Sequence, residues 1–154
     1  MVEQFFDRSD ELEYLEENYR KEKFSFIVIY GRRRVGKTFL VRKFLEDKER
    51  SLYFYVSEMS PQSLRGKLAE ELYRRFNLRL SFNPTWDEIF RGIFRLSRRE
   101  KHIVVFDEFQ RLLEIDRGAL SILQRIIDEE AHVLPTVTRS LTWDIKITHK
   151  YTPP

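Results

Sequence analysis

The sequence predicts an α/β fold in three layers with a mostly parallel sheet, and three observations predict it. Short apolar segments alternate along the chain with longer segments in which apolar residues recur every three or four positions. The short segments are almost continuously apolar, which is typical of strands buried on both faces of a sheet. A basic loop bounded by glycines joins the first of these strands to a helix. Strands alternating with helices in this way form α/β domains.

The first half of the chain contains two predicted helices and one strand. Residues 9–22 are predicted to form a helix, because a serine or an aspartate can cap its start and acidic residues fill its first turns. Residues 24–30 are nearly all apolar and form the first predicted strand. The loop 31–38 follows, and helical apolar spacing resumes over 39–45.

The second half continues the alternation. Residues 51–56 and 102–106 are predicted to be buried strands. Residues 61–76 are predicted to be a helix that starts with serine and proline and carries a leucine stripe. A Thr-Trp-Asp-Glu capping box opens a helix that continues to about residue 99, and 119–130 form a last amphipathic helix.

The composition indicates one ordinary folded domain. The chain has 154 residues, of which 42% are apolar and 34% charged, enough for a core under a charged surface. It has no cysteine, which excludes disulfides, cysteine-based zinc sites and thiol nucleophiles, and its three histidines lack ligand spacing. No apolar run approaches the ~18–20 residues of a membrane helix, and the first residues do not resemble a secretory signal. We therefore expect a cytoplasmic protein with no membrane contact.

The charge balance points weakly to nucleic acid, since the net charge is only +3. Arginine is favoured over lysine, and guanidinium groups suit bidentate contacts with phosphate or carboxylate. Two predicted helix faces are rich in arginine, and both a solvated face and a surface for DNA or a protein partner remain open. The faces comprise Arg91, Arg95, Arg98 and Arg99 on one helix, and Arg74, Arg75 and Arg79 on another.

A phosphate-binding loop is the most specific motif in the sequence. Residues 31–38 fit G-x-x-x-x-G-K-[ST], and the motif lies between a strand and a helix, a context that a chance match lacks. Its glycines let backbone N–H groups converge on phosphate oxygens at the positive end of the following helix. Lys37 is expected to reach the β- and γ-phosphates, and Thr38 to ligate Mg²⁺. The predicted nucleotide contacts are Gly31, Arg32, Arg33, Arg34, Val35, Gly36, Lys37, Thr38 and Phe39.

An acidic pair follows the strand at 102–106 and completes a Walker B pattern over 103–108. The carboxyl ends of parallel strands are where open α/β folds bind ligands, so Asp107 is expected to hold Mg²⁺ together with Thr38. Glu108 is expected to activate a water, which makes it, with Lys37, the predicted catalytic pair. The alternative is an acidic pair that merely ends a strand and starts a helix.

With these motifs in order, the chain resembles the archaeal ATPase family, STAND-type P-loop ATPases related to AAA+ proteins. The resemblance covers residues 4 to about 130 and rests on Phe-Phe-Asp-Arg, Gly-Arg-Arg-Arg-Val-Gly-Lys-Thr and Val-Val-Phe-Asp-Glu-Phe-Gln. It implies ATP rather than GTP and a catalytic glutamate, Glu108. It also implies an extra strand between the two Walker strands. Relatives often receive an arginine finger from a neighbouring protomer, so an oligomer is possible and the oligomeric state stays open. Arg8 is then a base or ribose contact, unless the segment 5–8 only clamps the first helix.

The tail departs from that family. Residues 131–154 hold five of the seven threonines but only four charged residues, so we divide the chain into a core, 1–130, and an atypical tail. The tail is expected to form an edge strand or to be disordered. Its origin has two interpretations: an ordinary surface extension, or a truncated or altered replacement of the natural continuation. Members of that family continue after the helix at 119–130 into a fourth strand that ends in a polar sensor residue, and this strand is missing here. By the family topology it would lie between 24–30 and 102–106, so its loss would leave the sheet centre unfilled.

The sequence therefore predicts Mg²⁺-dependent ATP binding and hydrolysis that couples nucleotide state to a conformational signal, with turnover impaired by the missing strand. One alternative is a regulatory module that binds ATP without efficient hydrolysis and contacts DNA or protein. The other is an inactive fragment. Two further residues near the acidic pair have expected roles. Ser57, just after the second strand, is expected to hold Glu108 inactive until a partner arrives, and Gln110 is expected to help position the attacking water.

Overall fold

A computed structural model of the chain describes residues 9–21, 25–28 and 37–131. The elements in these ranges alternate between helix and strand over most of their length. The helices are α1 (Ser9–Lys21), α2 (Lys37–Leu45), α3 (Pro61–Phe76), α4 (Trp86–Ser97), α5 (Gln110–Ile115) and α6 (Gly118–Ala131). The strands are β1 (Ser25–Val28), β2 (Ser51–Tyr55) and β3 (Ile103–Asp107).

The three strands form a parallel sheet in the order β1-β3-β2. Strand β3 lies in the middle, with Ile103 opposite Ser25 on one side and Ser51 on the other. All five residues of β3 are buried, which explains why its sequence is continuously apolar up to its final aspartate. The α/β class and the parallel sheet predicted from the sequence are confirmed.

Alternate residues of β3 point into two separate apolar clusters. Ile103 and Val105 pack with residues of α1 and α2, which we call the α1–α2 cluster: Leu15, Leu40, Val41 and Phe44. Val104 and Phe106 pack into a larger cluster with β2, α3, α4, α5 and α6. Strand β3 is therefore fixed from both faces, and its carboxyl end is held in a defined place.

Local capping sets both ends of α3 and the start of α4. The Ser60 side chain accepts a hydrogen bond from the Ser63 N–H, and Asn77 ends α3 in the left-handed conformation with φ 55°. The Thr85 side chain accepts from the Glu88 N–H at 3.1 Å and starts α4. The Glu88 carboxylate is also engaged, by the Ser81 N–H and hydroxyl at 2.7 Å each.

One topological expectation is wrong. The family topology predicts a missing strand between 24–30 and 102–106 and therefore an unfilled sheet centre. Instead, β1 pairs directly with β3 over four residues, from Ser25 opposite Ile103 to Val28 opposite Phe106. The backbone groups of β3 that face β1 are therefore paired, so the described sheet has a continuous centre. Of the atypical tail, 131–154, only Ala131 is described, as the last residue of α6, and residues 132–154 lie outside the described part of the chain.

Candidate functional site

The candidate site lies at the carboxyl end of β3, where Asp107 ends the strand. Asp107 is opposite Tyr55 of β2, and its carbonyl oxygen accepts the Val56 N–H at 2.9 Å. The residue is only 2% exposed, although it carries a carboxylate. A buried carboxylate requires hydrogen-bond donors, and these identify the residues that surround it.

The Asp107 carboxylate joins two distant parts of the chain. The Thr38 hydroxyl at the start of α2 donates to Asp107 Oδ2 at 3.0 Å, across 69 residues of sequence. Oδ1 accepts the backbone N–H of Glu108 at 2.8 Å. A hydroxyl and a carboxylate oxygen at this spacing are hard oxygen donors, the kind that suits Mg²⁺.

A tyrosine that the sequence analysis missed also binds this carboxylate. The Tyr53 hydroxyl donates to Asp107 Oδ2, the atom that Thr38 contacts. The Arg42 guanidinium of α2 lies over the Tyr53 ring, 4.8 Å from its centre. Burial, followed by the hydrogen bond to Asp107, raises the pKa of Tyr53 well above its usual range, so the phenol stays protonated as a donor.

Glu108 has an unusual backbone conformation, with φ 61°. This left-handed region is uncommon for residues other than glycine, and such outliers cluster at functional sites. The conformation turns the chain sharply from β3 into α5. It leaves the Glu108 side chain 5% exposed and beside Asp107.

The Glu108 carboxylate is held by the two residues that begin α5. The Gln110 amide donates to Glu108 Oε2 at 2.5 Å, and Arg111 Nε lies 3.7 Å from the same oxygen. Arg111 is anchored in turn, because its Nη1 donates to the Tyr55 hydroxyl at 2.9 Å. Strand β2 therefore provides two tyrosines, one that binds Asp107 and one that binds the arginine beside Glu108.

The described part of the predicted site divides into two groups. Thr38, Asp107 and Glu108 lie together, and Gln110 joins them. Lys37 is the first residue of α2, and Phe39 lies on the first turn with 60% of its surface exposed. Residues 31–36 of the loop and Arg8 lie outside the described residues, so their predicted contacts stay predictions.

Ser57 does not make the contact that was expected of it. Its hydroxyl oxygen is buried and has no hydrogen-bond partner among the described residues. The contacts of the Glu108 carboxylate come instead from α5, through Gln110 and Arg111. Within the described part of the chain, the contacts that hold Glu108 therefore come from the element after the strand rather than from β2 directly.

Three residues of the site were not predicted: Tyr53, Tyr55 and Arg111. A signal was available for the tyrosines, because polar-tipped rings at alternate positions of a strand lie on one face. Arg111 had no comparable signal. Its contact with Glu108 depends on the short helix α5, which the sequence analysis did not predict.

The arginine-rich face of α4 is partly engaged within the molecule. Arg91 Nε binds the Asp87 carboxylate at 2.9 Å, and its Nη2 binds Glu129 of α6 at 2.7 Å. These hydrogen bonds raise the pKa of Arg91 and tie α4 to α6. Arg91 therefore has an internal structural contact. Arg95 is exposed on α4, and Arg98 and Arg99 are exposed just beyond the end of this helix.

The arginines of α3 also differ from one another. Arg75 donates from Nε and Nη2 to the carbonyl oxygen of Ser51, at 3.0 and 2.8 Å, and so covers the start of the outer strand β2. Arg74 binds Glu70 and Glu71 of its own helix and stays exposed. Arg79 is exposed beyond the end of α3.

The fold and the site define an α/β domain with an acidic cluster at the carboxyl end of its parallel sheet. The chain belongs to the family of ATPase domains found predominantly in Archaea, whose sequence model matches residues 5–140. The sequence analysis anticipated this family from its motifs. The match includes both the predicted phosphate loop and the acidic pair.

Two proteins of Methanocaldococcus jannaschii are similar to this chain. An uncharacterized protein is 32% identical over 142 residues, which is 88% of this chain. The chain spans 28% of the length of that relative. An uncharacterized ATP-binding protein is 53% identical over 45 residues, which is 29% of this chain and 76% of that protein. No solved structure matches the chain.

None of the helices in the part of the chain that the structure describes combines the length and the hydropathy of a membrane-spanning segment.

Proposed function

We propose that the chain binds ATP with Mg²⁺ at the carboxyl end of its sheet, hydrolyses it, and converts loss of the γ-phosphate into a conformational signal. The observation that carries the proposal is the 3.0 Å contact between the Thr38 hydroxyl and Asp107. It brings together the end of the predicted phosphate loop and the end of the predicted Walker B strand. Membership of an ATPase-domain family and similarity to an ATP-binding protein support the choice of ligand.

In this proposal the phosphates lie at the start of α2. Backbone N–H groups of 31–38 would cradle them, helped by the positive end of α2 and by the Lys37 ammonium. Since α2 is held against β3 by the α1–α2 cluster, the helix start has a fixed position relative to Asp107. We propose that the domain has the three layers of a P-loop domain, with helices on both faces of the parallel sheet.

The donor set fits Mg²⁺. Mg²⁺ in nucleotide sites is usually held by one or two protein oxygens together with phosphate oxygens, and Thr38 and Asp107 provide such a pair. When bound, the ion would offset the negative charge of the phosphate oxygens. Asp107 is already buried and hydrogen-bonded, so its carboxylate needs little rearrangement to take this role.

Glu108 is the proposed general base. It would accept a proton from a water whose oxygen attacks the γ-phosphorus, while the bond to the ADP oxygen breaks. The buried position of Glu108 beside Asp107 keeps the carboxylate near the phosphates. Gln110 and Arg111 set its orientation.

Contacts with the base are proposed at two residues. The exposed ring of Phe39 lies one residue after Thr38 and offers a flat apolar surface to adenine. Arg8 is proposed as a second base or ribose contact on the strength of the family resemblance. The assignment of ATP rather than GTP rests on the family and on these two residues.

Calorimetric titration with MgATP tests the binding step. The wild type should bind, and Lys37→Ala should lose binding while it keeps a cooperative thermal transition. Lys67→Ala is the matched control, because Lys67 is an exposed lysine on α3, an element outside the site. Absence of binding by a cooperatively melting wild type would refute the proposal.

A second function is favoured by the contacts of Glu108. Its carboxylate is bound by Gln110 and lies near Arg111, which holds it away from water in this conformation. A regulatory module that binds ATP and hydrolyses it only when a partner releases Glu108 fits this arrangement. Phosphate release separates the two functions: the ATPase turns over by itself, whereas the regulatory module binds ATP with negligible turnover.

The partner proposed for either function is DNA or an acidic protein surface that contacts the exposed arginines: Arg95, Arg98 and Arg99. Binding to DNA should weaken steeply with salt, because each arginine that contacts a phosphate releases counterions. A triple change of these arginines to glutamine should remove that binding and leave MgATP affinity unchanged. Assembly with further copies of this chain is a separate possibility for the oligomeric state, which sedimentation with and without MgATP measures.

A further inference from the structure

Among the site residues to which neither the motifs nor the family match assigns a role, Tyr53 is the one that binds Asp107. Its hydroxyl donates to Asp107 Oδ2, so that Tyr53 and Thr38 share one carboxylate oxygen. The other oxygen accepts the Glu108 N–H. The carboxylate that is proposed to hold Mg²⁺ therefore has three protein donors, one from each of α2, β2 and the turn after β3.

The strand register explains how Tyr53 reaches Asp107. Tyr53 lies opposite Val105, and Tyr55 lies opposite Asp107, so the Tyr53 side chain must extend toward the carboxyl end of β3. The ring packs against the α1–α2 cluster and is covered by the Arg42 guanidinium at 4.8 Å. Contacts with α2 and β3 together hold the ring in this orientation.

The Asp107 carboxylate can rotate about its side-chain torsions unless hydrogen bonds to its two oxygens fix its plane. Its own backbone provides only the N–H of Glu108, which anchors one oxygen. A donor on Oδ2 from a rigid strand fixes the second oxygen and therefore the plane of the carboxylate. Partners that orient metal-binding carboxylates in this way typically contribute about 10–100-fold to metal affinity.

We propose that Tyr53 is a positioning residue, which holds the Asp107 carboxylate in the orientation that binds the Mg²⁺ of MgATP. The proposal rests on the proposed function, since it assumes that Asp107 and Thr38 hold Mg²⁺. Tyr53 itself touches neither the ion nor the nucleotide in this scheme. Its removal should therefore weaken the contribution of Mg²⁺ and leave the contribution of the phosphate loop intact.

The test compares ATP affinity in excess Mg²⁺ with ATP affinity in EDTA, measured by calorimetry for the wild type and for Tyr53→Phe. The ratio of the two affinities reports the contribution of Mg²⁺. We expect Tyr53→Phe to lower this ratio about tenfold, with the affinity in EDTA unchanged. Tyr73→Phe is the matched control, because Tyr73 lies on α3 with 52% exposure and makes the same chemical change away from the site.

A second background tests the route through Asp107. In Asp107→Asn the ratio should already be low, and adding Tyr53→Phe should lower it no further. Thermal melting of each variant verifies that it folds. If Tyr53→Phe loses a cooperative transition, Tyr53→Met takes its place, since it also lacks a donor and keeps an apolar side chain.

The outcomes separate this inference from the function on which it depends. A wild type that binds no ATP in either condition overturns both. A wild type with a clear Mg²⁺ effect that Tyr53→Phe retains overturns the role of Tyr53 alone. An equal loss of affinity in Mg²⁺ and in EDTA also overturns it, because a merely structural role predicts that result. A higher ratio in Tyr53→Phe would mean that the hydroxyl competes with the ion, and overturns it as well.

Discussion

Glu108 adopts a left-handed backbone conformation directly after Asp107, and its N–H donates to the Asp107 carboxylate at 2.8 Å. The two acidic residues are therefore linked through the backbone of one and the side chain of the other. The Glu108 N–H anchors Oδ1 and so orients the carboxylate. The left-handed conformation sets the direction of the Glu108 side chain and of the chain that follows it.

The strained backbone predicts that glycine at residue 108 gives a more stable protein than alanine, the reverse of the usual order in helices. Both changes remove the carboxylate, so their difference isolates the backbone. A left-handed alanine costs about 1–2 kcal/mol, which exceeds the ~0.5–1 kcal/mol entropic cost of glycine. We expect Glu108→Gly to be more stable than Glu108→Ala by about 0.5–1 kcal/mol in urea denaturation.

Glu114 provides the control for that comparison, because it is exposed within α5. There the order should reverse, with alanine more stable than glycine by up to about 1 kcal/mol, because Glu114 has a helical backbone. The same order at both residues would contradict a strained backbone at Glu108.

Changing Glu108 to glutamine tests its role as a general base. Glu108→Gln keeps the size of the side chain and loses the proton acceptor, so turnover should fall about 10²–10⁴-fold. MgATP affinity should stay close to that of the wild type, because the residue contacts water rather than phosphate in the proposed scheme. Phosphate release and calorimetry measure the two quantities.

Glu114→Gln makes the same chemical change outside the site and should leave both quantities unchanged. If Glu108→Gln retains wild-type turnover, another group removes the proton. If the wild type itself binds MgATP but shows negligible turnover, the regulatory function becomes the better description.

The secondary structure could largely be predicted from the sequence because period and caps are local signals. Helix α3 has the predicted bounds, since Ser60 caps its start and three buried leucines share one face. Strand β3 was recognised because both of its faces are buried, so its residues are apolar without alternation. Helix α5 was missed because six residues contain too little periodicity to separate a helix from a loop.

The candidate site was predicted where sequence motifs fix chemistry, and missed where distant strands supply it. The approach of Thr38 to Asp107 follows from a phosphate loop and a Walker B strand in one parallel sheet. The hydroxyl of Tyr53 reaches Asp107 only because β2 pairs with β3 in a particular register. The adjacency of β1 and β3 is likewise a property of strand pairing, which a single sequence does not reveal.

Truncating a buried side chain of α3 should lower the free energy of unfolding much more than truncating an exposed one. Two adjacent residues of α3 allow this comparison. Leu72 is fully buried, whereas Tyr73 is 52% exposed. Leu72→Ala removes packed methyl groups and should lower the free energy of unfolding by about 2–5 kcal/mol. Tyr73→Ala should change it by no more than about 0.5 kcal/mol. Urea denaturation measures both, and equal losses would contradict the burial of this face.

The start of α4 provides a test of capping. Thr85→Ala removes the oxygen that accepts the Glu88 N–H, so the free energy of unfolding should fall by about 1 kcal/mol. Thr85→Ser keeps an acceptor at the same position and should retain most of the stability. A similar loss in both variants would show that the methyl group of Thr85, rather than its oxygen, stabilises the helix.

His102 should make the stability of the protein depend on pH. The residue precedes β3, is 6% exposed, and packs edge-on against Phe76 with ring centres 4.9 Å apart. Burial disfavours the imidazolium and lowers the pKa of His102 from its usual value. Below about pH 6.5 the unfolded chain binds a proton that the folded chain resists, so stability should be full above that pH and fall as the pH decreases through it.

The measurement is urea denaturation at pH 7.5, 6.5 and 5.5 for the wild type and for His102→Phe, which keeps a ring against Phe76. The other two histidines and all carboxylates are common to both proteins, so the difference between their curves isolates His102. The neighbours that act on its charge are Arg50, which opposes protonation, and Glu100, whose carbonyl oxygen lies 2.8 Å from Nδ1 and favours it. The wild type should lose more stability than His102→Phe between pH 7.5 and 5.5, because burial outweighs the hydrogen bond to Glu100. Parallel curves would mean that the carbonyl and water stabilise the imidazolium enough to cancel the cost of burial.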